Sequence, residues 1–289
     1  LARTNLGQTW PNPAVGAIVV KDNMVIGTGC TARGGRPHAE TEALTQAGDG
    51  AHGATLYVTL EPCSHHGKTP PCTDAIIAAG ISRCVVACRD PHKQVNGAGI
   101  AKLKASDIEV TENICTKEAR DINRGFFSVV EKKRPYIALK IATSADGKIA
   151  YLANNDKKWI TSEAARNEVH RLRSEFDAVL TGIGTVLADD PLLTVRIPSL
   201  EHKSPVRVVL DRKHRLPATS KLMQSKNAAP LWVTDSATLE LAIEELTKKG
   251  ITRLLVEAGQ GLNTAFINNN LIDTLYWFKA PFNIGNKGL

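Results

Sequence analysis

His38-Ala39-Glu40 and Glu61-Pro62-Cys63-Ser64-His65-His66-Gly67-Lys68-Thr69-Pro70-Pro71-Cys72 are the stretches whose reading decides the fold. Together they offer an imidazole, two thiols and a separate carboxylate. Neutral imidazole and two thiolates suit a tetrahedral zinc ion, and three protein ligands, His38, Cys63 and Cys72, leave the fourth position to water. An open position marks a catalytic metal rather than a structural one. Glu40 is then the proton carrier, a carboxyl group that cycles between its charged and neutral forms in a dry pocket. The flanking sequence puts these groups at element ends. His38 opens HAETEALTQA after Pro37, Cys63 follows the strand-like TLYVTL at 55–60, and Cys72 begins CTDAIIAAG, which reads as a helix. Near a helix N-terminus the dipole favours a thiolate. A lone His is ordinarily a satisfied side chain and a lone Cys a small buried hydrophobe, so the joint pattern carries the metal reading.

Zinc nucleobase deaminases share an H-x-E…P-C-x-x-C pattern in which one His and two Cys hold the metal and the Glu moves protons. This chain departs from it in one respect, because eight residues, Ser64 to Pro71, separate the cysteines. With that longer loop, and with Pro11-Asn12-Pro13-Ala14-Val15-Gly16 upstream, the sequence resembles the bifunctional riboflavin-biosynthesis deaminase/reductase family. The resemblance implies a cytidine-deaminase-like, three-layer α/β domain at the N-terminus. It further implies that the inserted loop holds a substrate ribose phosphate through His65 and Lys68, with Asn12 and Asp90 as further substrate contacts. A cationic Lys in a glycine-containing loop is a sensible phosphate contact on physical grounds too. Thr31 stands where the family usually has a His, and His92 replaces a common Asn; both border the expected pocket.

At 289 residues the chain is long for one core and comfortable for two domains. Hydrophobic and charged contents of 43% and 22% describe an ordinary globular protein. No apolar run approaches the ~20 residues of a membrane span, and LARTNLGQTW is no signal peptide, so a cytoplasmic protein without a membrane partner is expected. Six cysteines fit that compartment, with Cys84 and Cys88 flanking a strand-like VVA as buried thiols. The net charge of +7 raises a nucleic-acid partner. Its distribution argues against one: Lys and Arg are scattered, and the dense run Lys132-Lys133-Arg134 lies before Pro135 at an expected interdomain joint. Domains are therefore expected at 1–134 and 135–289.

Apolar runs alternate with helical patterns through the first half: VGAIVV, HAETEALTQA, TLYVTL, CTDAIIAAG, RCVVAC and a helical pattern after Asn96. Such alternation indicates α/β layering. One long amphipathic segment, Thr116 to Glu131, precedes the joint. Beyond it, strands are predicted at 136–142, 177–182, 206–211, 231–234, 253–259 and 274–280, with helices near 162–174, 239–249 and 262–269. Gly182-Ile183-Gly184-Thr185 and Gly259-Gln260-Gly261-Leu262 punctuate strand ends, where glycines let backbone N–H groups approach a phosphate. Taken alone, such pairs are mostly turn glycines.

The surrounding residues extend the family resemblance over nearly the whole chain. LKIATSADGKIA around Lys140, Trp159-Ile160-Thr161-Ser162, the segment from Leu187 to Arg196 and Val256-Glu257-Ala258-Gly259 all resemble the family's reductase half. That half implies a dihydrofolate-reductase-like α/β domain using NADPH. By resemblance Arg173, Leu193, Arg196 and Glu257 bind the sugar phosphate, and Thr143, Trp159, Thr185, Asp189, Gly259 and Gly261 face the cofactor. Lys140 stands where the sugar carbonyl is polarised or protonated. Lys157 replaces a Ser near the cofactor. The family also implies a homo-oligomer acting on a phosphorylated pyrimidine riboside. Two other readings remain open at this stage: a deaminase whose basic surface docks tRNA, and a non-catalytic protein with structural zinc in which His65 or His66 supplies a fourth ligand.

Overall fold

The computed structural model describes residues 1–93, 95–152, 159–225 and 229–288, so Lys157 lies outside the described residues. The chain divides into two compact units, Leu1–Arg134 and Pro135–Leu289.

Strands of the first unit are β1 (Gly16–Lys21), β2 (Met24–Cys30), β3 (Thr55–Val58), β4 (Arg83–Val86) and β5 (Glu109–Glu112), in sheet order β2-β1-β3-β4-β5. β1 runs antiparallel to β2 and β3, whereas β3, β4 and β5 are parallel. Its helices are α1 (Ala39–Ala47), α2 (Cys72–Ala78), α3 (Ala98–Lys104), α4 (Thr116–Ile122) and α5 (Arg124–Lys132). Parallel neighbours need a crossover, and α2 and α3 supply the two that lead to β4 and β5. Side chains alternate across a strand, so Ala17 and Val19, Leu56 and Val58, and Cys84 and Val86 share one core. The same core takes in Ala39, Ala43 and Leu44 of α1, Ile76, Leu103 and Phe127. α1 crosses β2 at Gly29, where a Cβ would lie 2.1 Å from the Ala39 carbonyl oxygen. Only glycine admits that approach, and it sets where α1 begins.

The second unit is built on β6 (Tyr136–Thr143), β7 (Ala178–Gly182), β8 (Val206–Leu210), β9 (Leu231–Thr234), β10 (Arg253–Val256) and β11 (Thr274–Lys279). Their order is β11-β6-β10-β7-β8-β9 and every pairing is parallel. Helices α6 (Glu163–Ser174), α7 (Ile183–Asp189), α8 (Lys221–Gln224), α9 (Leu239–Lys248) and α10 (Gln260–Asn268) accompany them. An all-parallel sheet must be covered on both faces, which explains runs such as YIAL and VVL that are apolar without alternation. Successive residues Ile137, Ala138 and Leu139 are all buried, as are Val179 and Leu180 and Val208 and Val209. Asp177, just ahead of β7, ties that strand to β10: its Oδ2 accepts from the Thr252 N–H at 2.8 Å, the Thr252 hydroxyl at 2.7 Å and the Arg253 N–H at 2.9 Å.

Three departures from the sequence reading have physical causes. β2 escaped it because glycines at 27 and 29 interrupt the strand pattern. β5 escaped because it is a short strand at the sheet edge, flanked by Glu109 and Glu112. The segment from Thr116 is two helices, because Asn123 turns inward between them. Its Oδ1 accepts from the Ala14 N–H at 2.8 Å, and its Nδ2 donates to the Ala14 carbonyl at 3.1 Å.

Asn123 is buried and makes both bonds to backbone groups of a neighbouring segment. Removing it strands two buried polar groups, so Asn123→Ala is expected to lower the stability of the first unit by about 2 kcal/mol, read as a lower urea midpoint. An unchanged midpoint would contradict its role as the pin between the two helices.

Candidate metal centre and active sites

His38 is the N-cap of α1 and Cys72 the first residue of α2, so two helix starts bring their side chains together. Cys63 comes from the loop after β3, and its sulfur accepts from the Cys72 N–H at 3.3 Å. The His38 Nδ1 lies 3.3 Å from the Cys72 sulfur and 3.8 Å from the Cys63 sulfur, and all three ligand atoms fall within 4.8 Å of one another. A tetrahedral zinc with Zn–S of about 2.3 Å and Zn–N of about 2.0 Å has N···S edges of about 3.5 Å, so the donor set and its spacing fit that ion. Hydrogen bonding from the Cys72 thiol and from His38 holds the Cys63 thiol low, at about 4, and pushes Cys72 up. A zinc ion held by His38, Cys63 and Cys72 would take the place of this shared proton. Asn12 Nδ2 stands 3.4 Å from the His38 Nε2 and donates to the Gly35 carbonyl at 2.9 Å, steadying the imidazole from behind.

Glu40, one helical step beyond, is buried at 4% exposure. Burial pushes its carboxyl up to about 7. A carboxyl poised there can both take and give a proton near neutrality. It opens on a cavity of about 230 Å³ lined by Asn12, His38, Glu40, Cys63, His65, Asp90 and His92 among others. Burial also pushes Asp90 up, to about 6, and its Oδ1 accepts from the His92 N–H at 2.7 Å. The rings of His65 and His92 stack across the opening, 6.3 Å between centroids. Lys68 is exposed on the inserted loop and does not line this cavity. Arg36 does line it, and its guanidinium also donates to the Thr69 hydroxyl of the inserted loop. The sequence reading missed Arg36, although a cation two residues ahead of a metal ligand was signal enough to consider it. Phe126 and Glu61, further lining residues, carried no such signal. Cys84 and Cys88 are buried thiols, pushed up to about 12 and about 11 by burial.

Lys140 on β6 and Glu257 at the end of β10 are neighbours because β6 and β10 pair in parallel, Leu139 beside Val256. The Lys140 Nζ stands 3.6 Å from Glu257 Oε2. Arg173, from α6, grips the same carboxylate with two bonds, Nε to Oε1 at 2.6 Å and an Nη to Oε2 at 3.0 Å, and donates to the Thr194 carbonyl at 3.0 Å. Although burial pushes Glu257 up, Arg173 and Lys140 hold it down at about 2. Arg173 and Glu257, both expected as phosphate contacts, are thus bonded to each other. The Leu193 side chain belongs to the core of this unit, while Arg196 is exposed.

Thr185 near the start of α7 and Gly259 at the N-cap of α10 come together, a Cβ on Gly259 falling 3.6 Å from the Thr185 Oγ1. β7 and β10 are parallel neighbours, so both helix starts lie at the C-terminal ends of adjacent strands. At Gly184 and Gly261 no heavy atom among the described residues comes within 4 Å of an added Cβ, which leaves backbone open to a ligand. Asp189 ends α7 and is exposed. Trp159 lines a separate cavity of about 670 Å³ with Trp277, whose indole N–H donates to the Thr143 hydroxyl at 2.8 Å. The expected cofactor residues therefore fall in two groups, one around Thr185 and one around Trp159.

Comparison with known proteins agrees with this two-unit picture. Residues 1–88 match the cytidine and deoxycytidylate deaminase zinc-binding region, and residues 135–289 match the RibD C-terminal domain. The riboflavin biosynthesis protein RibD of Aquifex aeolicus is 43% identical, over all of this chain and 88% of its own length. That of Escherichia coli is 38% identical, over 99% of this chain and 86% of its own. Among solved structures, Acinetobacter baumannii RibD superposes with a TM-score of 0.91 at 40% identity, covering all of this chain and 86% of the other. A Thermotoga maritima protein described as a diaminohydroxyphosphoribosylaminopyrimidine deaminase/5-amino-6-(5-phosphoribosylamino)uracil reductase gives 0.89, also at 40%, with the same two coverages. With a cytidine-deaminase-like unit ahead of a reductase unit, and with identities of this size along its whole length, the chain belongs to the RibD family of bifunctional riboflavin-biosynthesis deaminase/reductases.

Proposed function

We propose that the first unit hydrolytically deaminates 2,5-diamino-6-ribosylamino-4(3H)-pyrimidinone 5′-phosphate and that the second reduces the ribosyl group of the product to ribityl with NADPH. The observation that carries the first half is the convergence of His38, Cys63 and Cys72 beside a buried Glu40 on one cavity. Zinc bound by these three residues supplies Lewis acidity and an acidified water. Glu40 takes a proton from the attacking water and delivers it to the ring nitrogen. It then takes the hydroxyl proton of the tetrahedral adduct and gives it to the amino group, which leaves as ammonia, so the ring carbon exchanges its amino group for oxygen. Asn12, Asp90 and His65 line the same cavity and orient the pyrimidine and ribose. Arg36, tied to the inserted loop, joins Lys68 of that loop in offering positive charge to the phosphate.

In the second unit Lys140 donates a proton to the carbonyl oxygen of the ring-opened sugar as the hydride reaches its carbon. The ionised Glu257, fixed by Arg173, holds the Lys140 side chain in place. Of the expected phosphate contacts, Arg196 is the one whose cation is exposed, and it receives the substrate phosphate, with Leu193 nearby in the chain. NADPH supplies the hydride. Its phosphates are assigned to the helix starts at Thr185, Gly259 and Gly261, and the remainder to Asp189, Thr143 and Trp159. The two activities by which the Thermotoga relative is described support both substrate assignments. No helix among the described residues is long and apolar enough to cross a membrane. A cytoplasmic homo-oligomer without nucleic acid as partner completes the reading, supported by the family resemblance.

Glu40→Gln is expected to keep one zinc per chain while ammonia release falls by about 10²- to 10⁴-fold. Full ammonia release by that variant would end the proton-carrier role. Lys140→Ala should slow NADPH oxidation on the deaminated intermediate by a comparable factor and leave ammonia release intact; normal NADPH oxidation would remove Lys140 from the reaction. Chelating the zinc should stop ammonia release and spare NADPH oxidation on that intermediate. Loss of both activities would contradict the division of labour between the units.

A further inference from the structure

Glu61 is a carboxylate at 3% exposure whose hydrogen bonds among the described residues come from backbone alone. Its Oε2 receives the N–H groups of Asp90 at 3.2 Å and Gly97 at 3.0 Å. Its Oε1 receives those of Gly99 at 3.0 Å and Ile100 at 3.3 Å. A buried charge is expensive unless such donors surround it, and four of them replace the water it lost. The donors are Asp90, in the loop after β4, and Gly97, Gly99 and Ile100 at the start of α3; Asp90, with His92 and Val95, belongs to the cavity wall. Three of the N–H groups are first-turn donors of α3 that no intrahelical carbonyl can reach. The start of α3 is shaped to wrap the carboxylate: Gly97 adopts φ of 92°, and a Cβ on Gly99 would lie 2.1 Å from the Pro62 carbonyl oxygen.

We propose that Glu61 is a positioning residue for deamination. It clasps the Asp90–His92 wall to the strand end that also carries the metal ligand Cys63, and so fixes the distance between substrate contacts and metal. This rests on the reading of the cavity as the deaminase substrate site. The zinc ligands are set by other contacts, namely the Cys72 N–H on the Cys63 sulfur and the helix starts at His38 and Cys72. Loss of the clasp therefore loosens the substrate wall and spares the metal. In Glu61→Gln the amide presents two hydrogens to a pair of backbone donors, and that half of the clasp opens.

The test compares wild-type and Glu61→Gln full-length, zinc-loaded protein. Hydrogen exchange comes first, because it needs no substrate. Peptides covering 90–100 should lose protection in the variant, while those covering 38–47 keep theirs and zinc stays at one per chain. Deaminase kinetics should then show KM raised by about ten-fold or more with a smaller change in kcat, as misplacement of a substrate-positioning wall predicts. In an Asp90→Asn background the same substitution should change KM by less than about three-fold, since residues acting through one another are not additive. Unchanged exchange in 90–100 overturns the clasp, whatever the activity. Altered exchange with an unchanged KM, or an equal KM effect in the Asp90→Asn background, overturns its positioning role. A wild-type protein that releases no ammonia would fault the functional reading instead, leaving the exchange result to decide the clasp. If Glu61→Gln does not fold, Gly97→Ala opens the same clasp from the loop side and is read by the same criteria.

Discussion

The first unit depends on one hydrogen bond, from the Cys72 N–H to the Cys63 sulfur. Eight residues loop out between these cysteines, far more than a tight turn needs. The bond closes that loop at its base and puts both sulfurs at the start of α2, where the dipole favours a thiolate. His38 arrives independently, at the start of α1, whose placement the Gly29 crossing sets. The metal ligands are thus held by backbone geometry at two helix starts, and the inserted loop is free to serve the substrate without bearing on the metal.

The second unit handles charge differently. Its buried carboxylate, Glu257, is neutralised by a two-bond arginine, and a lysine is held at the rim of that pair. Removing either bonded partner would strand a buried charge, which is costly, whereas the lysine at 3.6 Å is loosely held and able to act. Glu61 in the first unit offers a third solution, a carboxylate satisfied by backbone N–H groups. Burial of both carboxylates is tolerated because every oxygen has its donors, and the Glu61 arrangement bears on residues of the first unit's cavity wall.

Much of this was legible in the sequence for identifiable reasons. Metal ligands announce themselves by residue type and spacing, so His38, Cys63 and Cys72 could be read before any geometry. Parallel strands buried on both faces stand out as unbroken apolar runs, which is why β6, β7, β8 and β10 were found. β2 was not, because packing against α1 required glycines that erase the strand pattern. The break at Asn123 was invisible because its cause is a bond to Ala14, over a hundred residues away in the chain. The pairing of Arg173 with Glu257 was hidden for the same reason: spacing along the chain does not tell a ligand contact from an internal partner 84 residues distant.

The central claim is that one chain carries two consecutive chemistries, and a single time course addresses it most directly. Purified, zinc-loaded protein is given the diaminopyrimidine ribosyl phosphate and NADPH, and ammonia and nicotinamide absorbance are followed together. The account predicts that ammonia appears first and that NADPH is then consumed to the same extent, after a lag that shortens when the deaminated intermediate is supplied. NADPH consumption without prior ammonia release, or neither signal, would contradict it.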